Sequence, residues 1–112
     1  MRVTVYHNPK CGTSRAVLQI LHDEGIEPQI IEYLKSPLSR QVLVALAKKL
    51  GSVTDLLRTK EPLVKELNLN TADDETILDA ISQHPILFNR PLVVTAKGAK
   101  LCRPAELVRT LI

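Results

Sequence analysis

Aromatic side chains are scarce in this chain: two tyrosines, one phenylalanine and no tryptophan among 112 residues. Tyr6, Tyr33 and Phe88 make no platform for stacking bases. Charge is also too balanced for a nucleic-acid binder, with 15 basic residues against 12 acidic ones and a net +3. Cysteine is limited to Cys11 and Cys102, too few for a disulfide framework. No apolar run is long enough to span a bilayer, so no membrane association is expected. The opening Met1-Arg2-Val3-Thr4-Val5 lacks the apolar core of a signal peptide, which predicts a cytoplasmic protein with reduced thiols. What remains, 45% hydrophobic and 24% charged residues, is the composition of one compact soluble domain.

The hydrophobic spacing predicts an α/β order. Val3 and Val5 alternate with polar neighbours in a strand at about residues 2–6. The turn-forming loop His7-Asn8-Pro9-Lys10-Cys11-Gly12 follows, then a helix capped by Thr13 or Ser14, with Val17, Leu18, Ile20 and Leu21 inward and Gly25 at its end. A second strand, Gln29 to Leu34 with Ile30 and Ile31 buried, is expected parallel to the first across the crossover helix. The middle is helical. Ser39 caps a helix ending at Leu50 before Gly51, and Ser52 with Asp55 resembles a capping box for a turn through Leu57. Pro62 fits the start of a short helix, and Asp73-Asp74-Glu75 opens one reaching Gln83. The strand Leu92–Thr95, a turn at Ala96-Lys97-Gly98, a return strand over residues 99–102 and a helix from Pro104 bearing Leu107, Val108 and Leu111 complete the chain. This is a thioredoxin-like arrangement: a mixed four-stranded sheet in the order βαβ, helical insert, ββα. It is read as a single domain over residues 1–112 with the insert at about 38–84.

Cys11 is the residue that carries chemistry. It lies between a strand end and a helix start, where unpaired backbone N–H groups and the helix dipole favour negative charge. Lys10 and Arg15 add to the positive field, so the thiol ionises readily and its thiolate is a nucleophile. Most free cysteines are buried packing residues, but a polar, glycine-containing turn is a poor place to bury one. Cys11-Gly12-Thr13-Ser14 has no second cysteine, which excludes a dithiol redox couple. Val17 stands where a tyrosine-phosphatase loop needs arginine, so an oxyanion must be held from elsewhere. Arg90 before Pro91 and Arg103 before Pro104 each stand at the head of an element that faces the cysteine loop. Arg58 in the helical block is a third candidate. A guanidinium presents a planar fork to tetrahedral oxyanions. In a thioredoxin-like fold the proline that opens the third strand is commonly cis, which brings backbone to the thiol without an N–H.

Tyr6-His7-Asn8-Pro9-Lys10-Cys11-Gly12-Thr13-Ser14-Arg15 resembles the active-site segment of the glutaredoxin-coupled arsenate reductases. Leu56-Leu57-Arg58, His84-Pro85-Ile86-Leu87 with Asn89-Arg90-Pro91-Leu92-Val93-Val94-Thr95, and Leu101-Cys102-Arg103-Pro104 resemble further blocks of that family in the same order. The chain departs from the pattern at Thr59-Lys60-Glu61-Pro62, which is shorter and differently composed. The resemblance implies a Cys11 thiolate that attacks arsenate, with Arg58, Arg90 and Arg103 as its oxyanion ligands. His7 corresponds to a histidine that helps activate the thiol, and Asn8 and Ser14 to hydrogen-bonding residues beside it. It further implies glutathione as co-substrate, glutaredoxin as partner, no bound cofactor or metal, and a monomer. His84 is expected to be structural and His22 to face solvent. The alternatives are a glutathione-linked thiol reductase of another substrate and a non-enzymatic thioredoxin-like adaptor or regulator. Regulators of this fold usually carry a Cys-x-x-Cys in the loop, which is absent here.

Overall fold

A computed structural model describes residues 2–112, and its chain divides into two compact units. The first joins the segment ending at Ser36 to Arg90–Ile112; the second is Pro37–Asn89.

The first unit is a four-stranded mixed sheet of order β2-β1-β3-β4. Strand β1 (Thr4–His7) runs parallel to β2 (Gln29–Glu32) and antiparallel to β3 (Leu92–Thr95), which pairs in turn with β4 (Gly98–Leu101). Helix α1 (Gly12–Asp23) connects β1 to β2, and Gly25 at φ +73° closes it in the left-handed conformation that glycine tolerates. One sheet face supplies Val3, Val5 and Val93 to a core completed by Val17 and Leu21 of α1 and by Cys102, Ala105, Val108 and Leu111. Fully burying an aliphatic side chain of this size stabilises a fold by about 1.5–3 kcal/mol, so this layer holds the sheet against its helices.

Four local expectations are corrected. The strand expected over residues 29–34 stops at Glu32, whose carbonyl accepts from Lys35 and Ser36 N–H in a turn. Strand β2 is a sheet edge, so Ile30 is 48% exposed and Ile31 only half-buried. The hairpin loop is Ala96-Lys97 alone, because Gly98 at φ +135° already pairs with Thr95. The last element is a 3-10 helix, Ala105–Thr110, with Leu107 exposed rather than on the apolar face.

In the second unit, α2 (Arg40–Leu50) is capped by the Ser39 hydroxyl, which accepts from Val42 N–H at 3.2 Å, and ends at Gly51, φ +91°. A 3-10 turn over Thr54–Leu56 follows, with the Ser52 hydroxyl accepting from Asp55 N–H. Helix α3 (Pro62–Glu66) begins on its proline, and α4 (Asp74–Gln83) is capped by Asp73, which accepts from Thr76 N–H at 2.9 Å. Leu43, Leu46 and Ala47 of α2 and Ile77, Leu78 and Ile81 of α4 are buried. Arg40 ties the same two helices together by pairing with Glu75 and Asp79.

Candidate active site

The loop after β1 is shaped by its own side chains. The Asn8 side-chain oxygen accepts from Lys10 N–H at 3.0 Å, and the Asn8 carbonyl accepts from Cys11 N–H at 3.0 Å. Cys11 thereby takes the N-cap position of α1 in an extended conformation. The expected capping by Thr13 or Ser14 is not found, because the helix starts earlier and both fall inside its first turn. Ser14 is instead fully buried. Its hydroxyl lies 2.6 Å from His7 Nδ1 and accepts from Asn8 N–H at 3.2 Å. His7, Asn8 and Ser14 therefore form one buried polar cluster behind the cysteine loop, joined through the Ser14 hydroxyl.

The arginines arrive through the β3–β4 hairpin. Its ladder runs from Thr95 opposite Gly98 to Leu92 opposite Leu101. The register continues outward: Cys102 N–H donates to the Pro91 carbonyl at 3.0 Å, and Arg103 Nη1 donates to the Arg90 carbonyl at 3.2 Å. Arg90 and Arg103 thus lie side by side, each before a cis proline. Like charges directly opposite one another destabilise a ladder unless an anion sits between them. Here the group available to take that place is the Cys11 sulfur, since Arg103 Nη1 also lies 3.6 Å from Cys11 Sγ.

Burial of Cys11 pushes its pKa up, but the Ser14 backbone N–H and the Arg90 and Arg103 guanidinium groups outweigh it, and the thiol ends below its ordinary value. His7 is held below its ordinary value, chiefly by burial and further by Arg15, against the opposing pull of Glu32. Glu32 faces His7 across the parallel ladder. Local sequence does not single Glu32 out, although the βαβ pattern carries the signal once the strand register is known.

Arg58 belongs to the second unit, where its Nε pairs with Glu61 at 3.3 Å and its backbone N–H donates to the Leu87 carbonyl. His84 closes α4, as expected, and His22 is exposed. Among the described residues no group of three His, Cys, Asp or Glu could hold a metal ion, and no helix is long and apolar enough to cross a membrane.

Sheet order, the cysteine at the start of α1 and the paired arginines define a thioredoxin-like protein with one thiol set against two guanidinium groups. The chain belongs to the ArsC family, whose model matches residues 6–111. It is 47% identical to an arsenate reductase of Rhizobium meliloti, over all of this chain and 82% of that protein. It is also 47% identical to one from Escherichia coli, over 98% of this chain and 80% of that one. The solved structure of an arsenate reductase from Vibrio cholerae superimposes with a TM-score of 0.95 at 41% identity, covering the whole chain and 98% of its own.

Proposed function

We propose that the chain is an arsenate reductase in which Cys11 is the nucleophile and Arg90 and Arg103 are oxyanion ligands. The observation that carries this reading is the thiol flanked by two guanidinium groups, with Arg103 Nη1 3.6 Å from Cys11 Sγ. Positive charge serves twice there, favouring the thiolate and stabilising charge on the bound oxyanion. The names of the relatives support the choice of arsenate among oxyanions.

In this scheme the Cys11 thiolate attacks arsenic, an S–As bond forms and an oxygen leaves as water. With no neighbouring cysteine in the loop, an external thiol completes the reduction. Glutathione sulfur bonds to Cys11 sulfur, the S–As bond breaks, and its electron pair leaves with arsenic as arsenite. Two thiols are oxidised to one mixed disulfide while arsenic gains two electrons. Glutaredoxin then clears the glutathione from Cys11 by thiol–disulfide exchange. His7 and Ser14 position the loop, and Asn8 fixes its turn. The protein acts as a cytoplasmic monomer without a bound cofactor, and its helical segment at about 38–84 is an insert in a single domain.

The test is turnover of arsenate with glutathione and glutaredoxin. Arsenite formation that requires all three is the expected result; its absence in folded protein rejects the substrate assignment.

A further inference from the structure

The side chains around Cys11 fall into two sets. Arg103 is engaged with the sulfur and the Arg90 carbonyl, and Arg90 also hydrogen-bonds the thiolate. Once an oxyanion is bonded to sulfur, those guanidinium groups face its oxygens and are not available to a second anion. Lys10 and Arg15 are engaged differently. Both are exposed, and among the described residues neither side chain is ion-paired. Arg15 Nη1 donates to the Pro9 carbonyl at 2.9 Å, which folds the guanidinium back along the loop that carries Lys10. Its Nη2 lies 3.7 Å from where a side chain on Gly12, the residue after Cys11, would begin. The loop from His7 to Arg15 contains no acid, and neither does the first turn of α1. Two exposed cations free of ion pairs thus belong to the cysteine loop and the first turn of the helix it opens. They stand on either side of Cys11 in the chain, with the arginine reaching back over Gly12 to Pro9.

We propose that Lys10 and Arg15 form a carboxylate subsite for the small anionic thiol that attacks the Cys11 adduct. This rests on the reading of Cys11 as a nucleophile resolved by glutathione. The tripeptide carries two carboxylates and one ammonium, so it arrives as an anion at a pocket already holding another. Cations held apart from the oxyanion let it approach without competing for the same donors, and they raise its local concentration in a salt-dependent way.

Thiol–disulfide exchange isolates this step from arsenate. Cys11 thiolate attacks one sulfur of a disulfide, a new S–S bond forms at Cys11, the old one breaks, and the electron pair leaves on the departing thiolate. The probes are glutathione disulfide, which is anionic, bis(2-hydroxyethyl) disulfide, which is neutral, and cystamine, which is cationic. Second-order rates of Cys11 modification are followed by intact-protein mass spectrometry at low and high salt. Wild-type protein is expected to favour the anionic probe over the neutral one, and the neutral one over the cationic. Lys10→Gln and Arg15→Gln should each lower the anionic-to-neutral ratio about three- to tenfold, with the difference fading in high salt. Dividing by the neutral rate removes any change in thiolate fraction. Arg15→Lys keeps the charge and should keep most of the ratio. An unchanged ratio in both glutamine variants overturns the proposal. So does an Arg15→Lys variant that collapses as far as Arg15→Gln, since the hold on Pro9 rather than the charge then matters. Absence of arsenate turnover with the probe order intact counts against the proposed reaction instead, because no arsenate enters this assay.

Discussion

The two cysteines belong to the same unit and differ in almost everything but residue type. Cys11 caps α1 on a polar loop, where a backbone N–H and two guanidinium groups offset its burial and the thiolate is favoured. Cys102 follows β4 with no exposed surface, packed in the core with Val93, Val108 and Leu111. Burial pushes its thiol up to about 11, only partly opposed by Lys100, and its S–H points at the Lys100 carbonyl at 3.7 Å. What separates the two thiols is the number of donors aimed at the sulfur, since both are buried. The contrast extends to neighbours. Successive residues on an extended segment project to opposite sides, so Cys102 enters the core while Arg103, next in sequence, reaches Cys11.

The comparison breaks most visibly at the proposed nucleophile. Cys11→Ser is expected to lower arsenate turnover by on the order of a thousandfold or more, since an alcohol at that site is not ionised and Cys102 is sealed away. Circular dichroism should stay native, because the loop is held by Asn8, Ser14 and backbone hydrogen bonds rather than by sulfur. Full activity in a native-looking variant would remove the distinction between the thiols. Alkylation sharpens it next. With iodoacetamide, Cys11 should react with a midpoint below the ordinary thiol value of about 8.5, and at neutral pH about a hundredfold faster than Cys102. Equal labelling in folded protein, read by peptide mass spectrometry, would contradict the environments described above.

Arginine substitutions come third. Arg103→Ala or Arg90→Ala removes a charge-assisted contact, which costs about 1.5–3 kcal/mol, or roughly ten- to a hundredfold in kcat/KM. Each should also move the Cys11 alkylation midpoint upward, since each guanidinium lowers that pKa. Arg103→Lys is expected to fall between wild type and alanine, because an ammonium supplies a point charge in place of the planar guanidinium whose Nη1 meets both the sulfur and the Arg90 carbonyl. Wild-type kinetics in the alanine variants would make these arginines surface charges.

Much of this was legible before any coordinates, and the failures share a cause. Ser39, Gly51, Asp73 and Pro62 mark helix ends through local chemistry, and all four stand where the sequence puts them. Cys11 was legible because strand, turn formers and helix meet at it. What local chemistry does not encode is register. A three-residue hairpin loop would set Arg90 opposite Pro104; the observed two-residue loop sets it opposite Arg103 and so builds the cationic pair. The same blindness hid Glu32 opposite His7 and made Ile30 look buried, since whether a strand lies at an edge depends on partners distant in sequence. Serine favours a helix cap, yet the Ser14 hydroxyl is taken by His7 and Asn8.

The smallest expected effect tests the inert half of the comparison. Cys102→Ser should leave turnover within about twofold, because Cys102 offers no thiolate at neutral pH and Arg103 is held by its own contacts to Cys11 and the Arg90 carbonyl. Its signature lies in alkaline stability. A thiol whose folded pKa is raised contributes fully below the unfolded value, and that contribution is lost as pH rises toward the folded one. For Cys102 the window runs from about pH 9 to about 11, and the loss approaches about 2 kcal/mol at its upper end. The serine hydroxyl does not titrate there, so the difference between wild type and Cys102→Ser in urea melts should narrow across that window. Cys11 acts with the opposite sign, because its lowered pKa adds stability above the unfolded value and loses it as pH falls through the folded one. A parallel pair of stability curves would mean that Cys102 ionises as easily in the fold as out of it. A Cys102→Ser variant without turnover, or a Cys11–Cys102 disulfide trapped during the cycle, would turn the inert thiol into the resolving one.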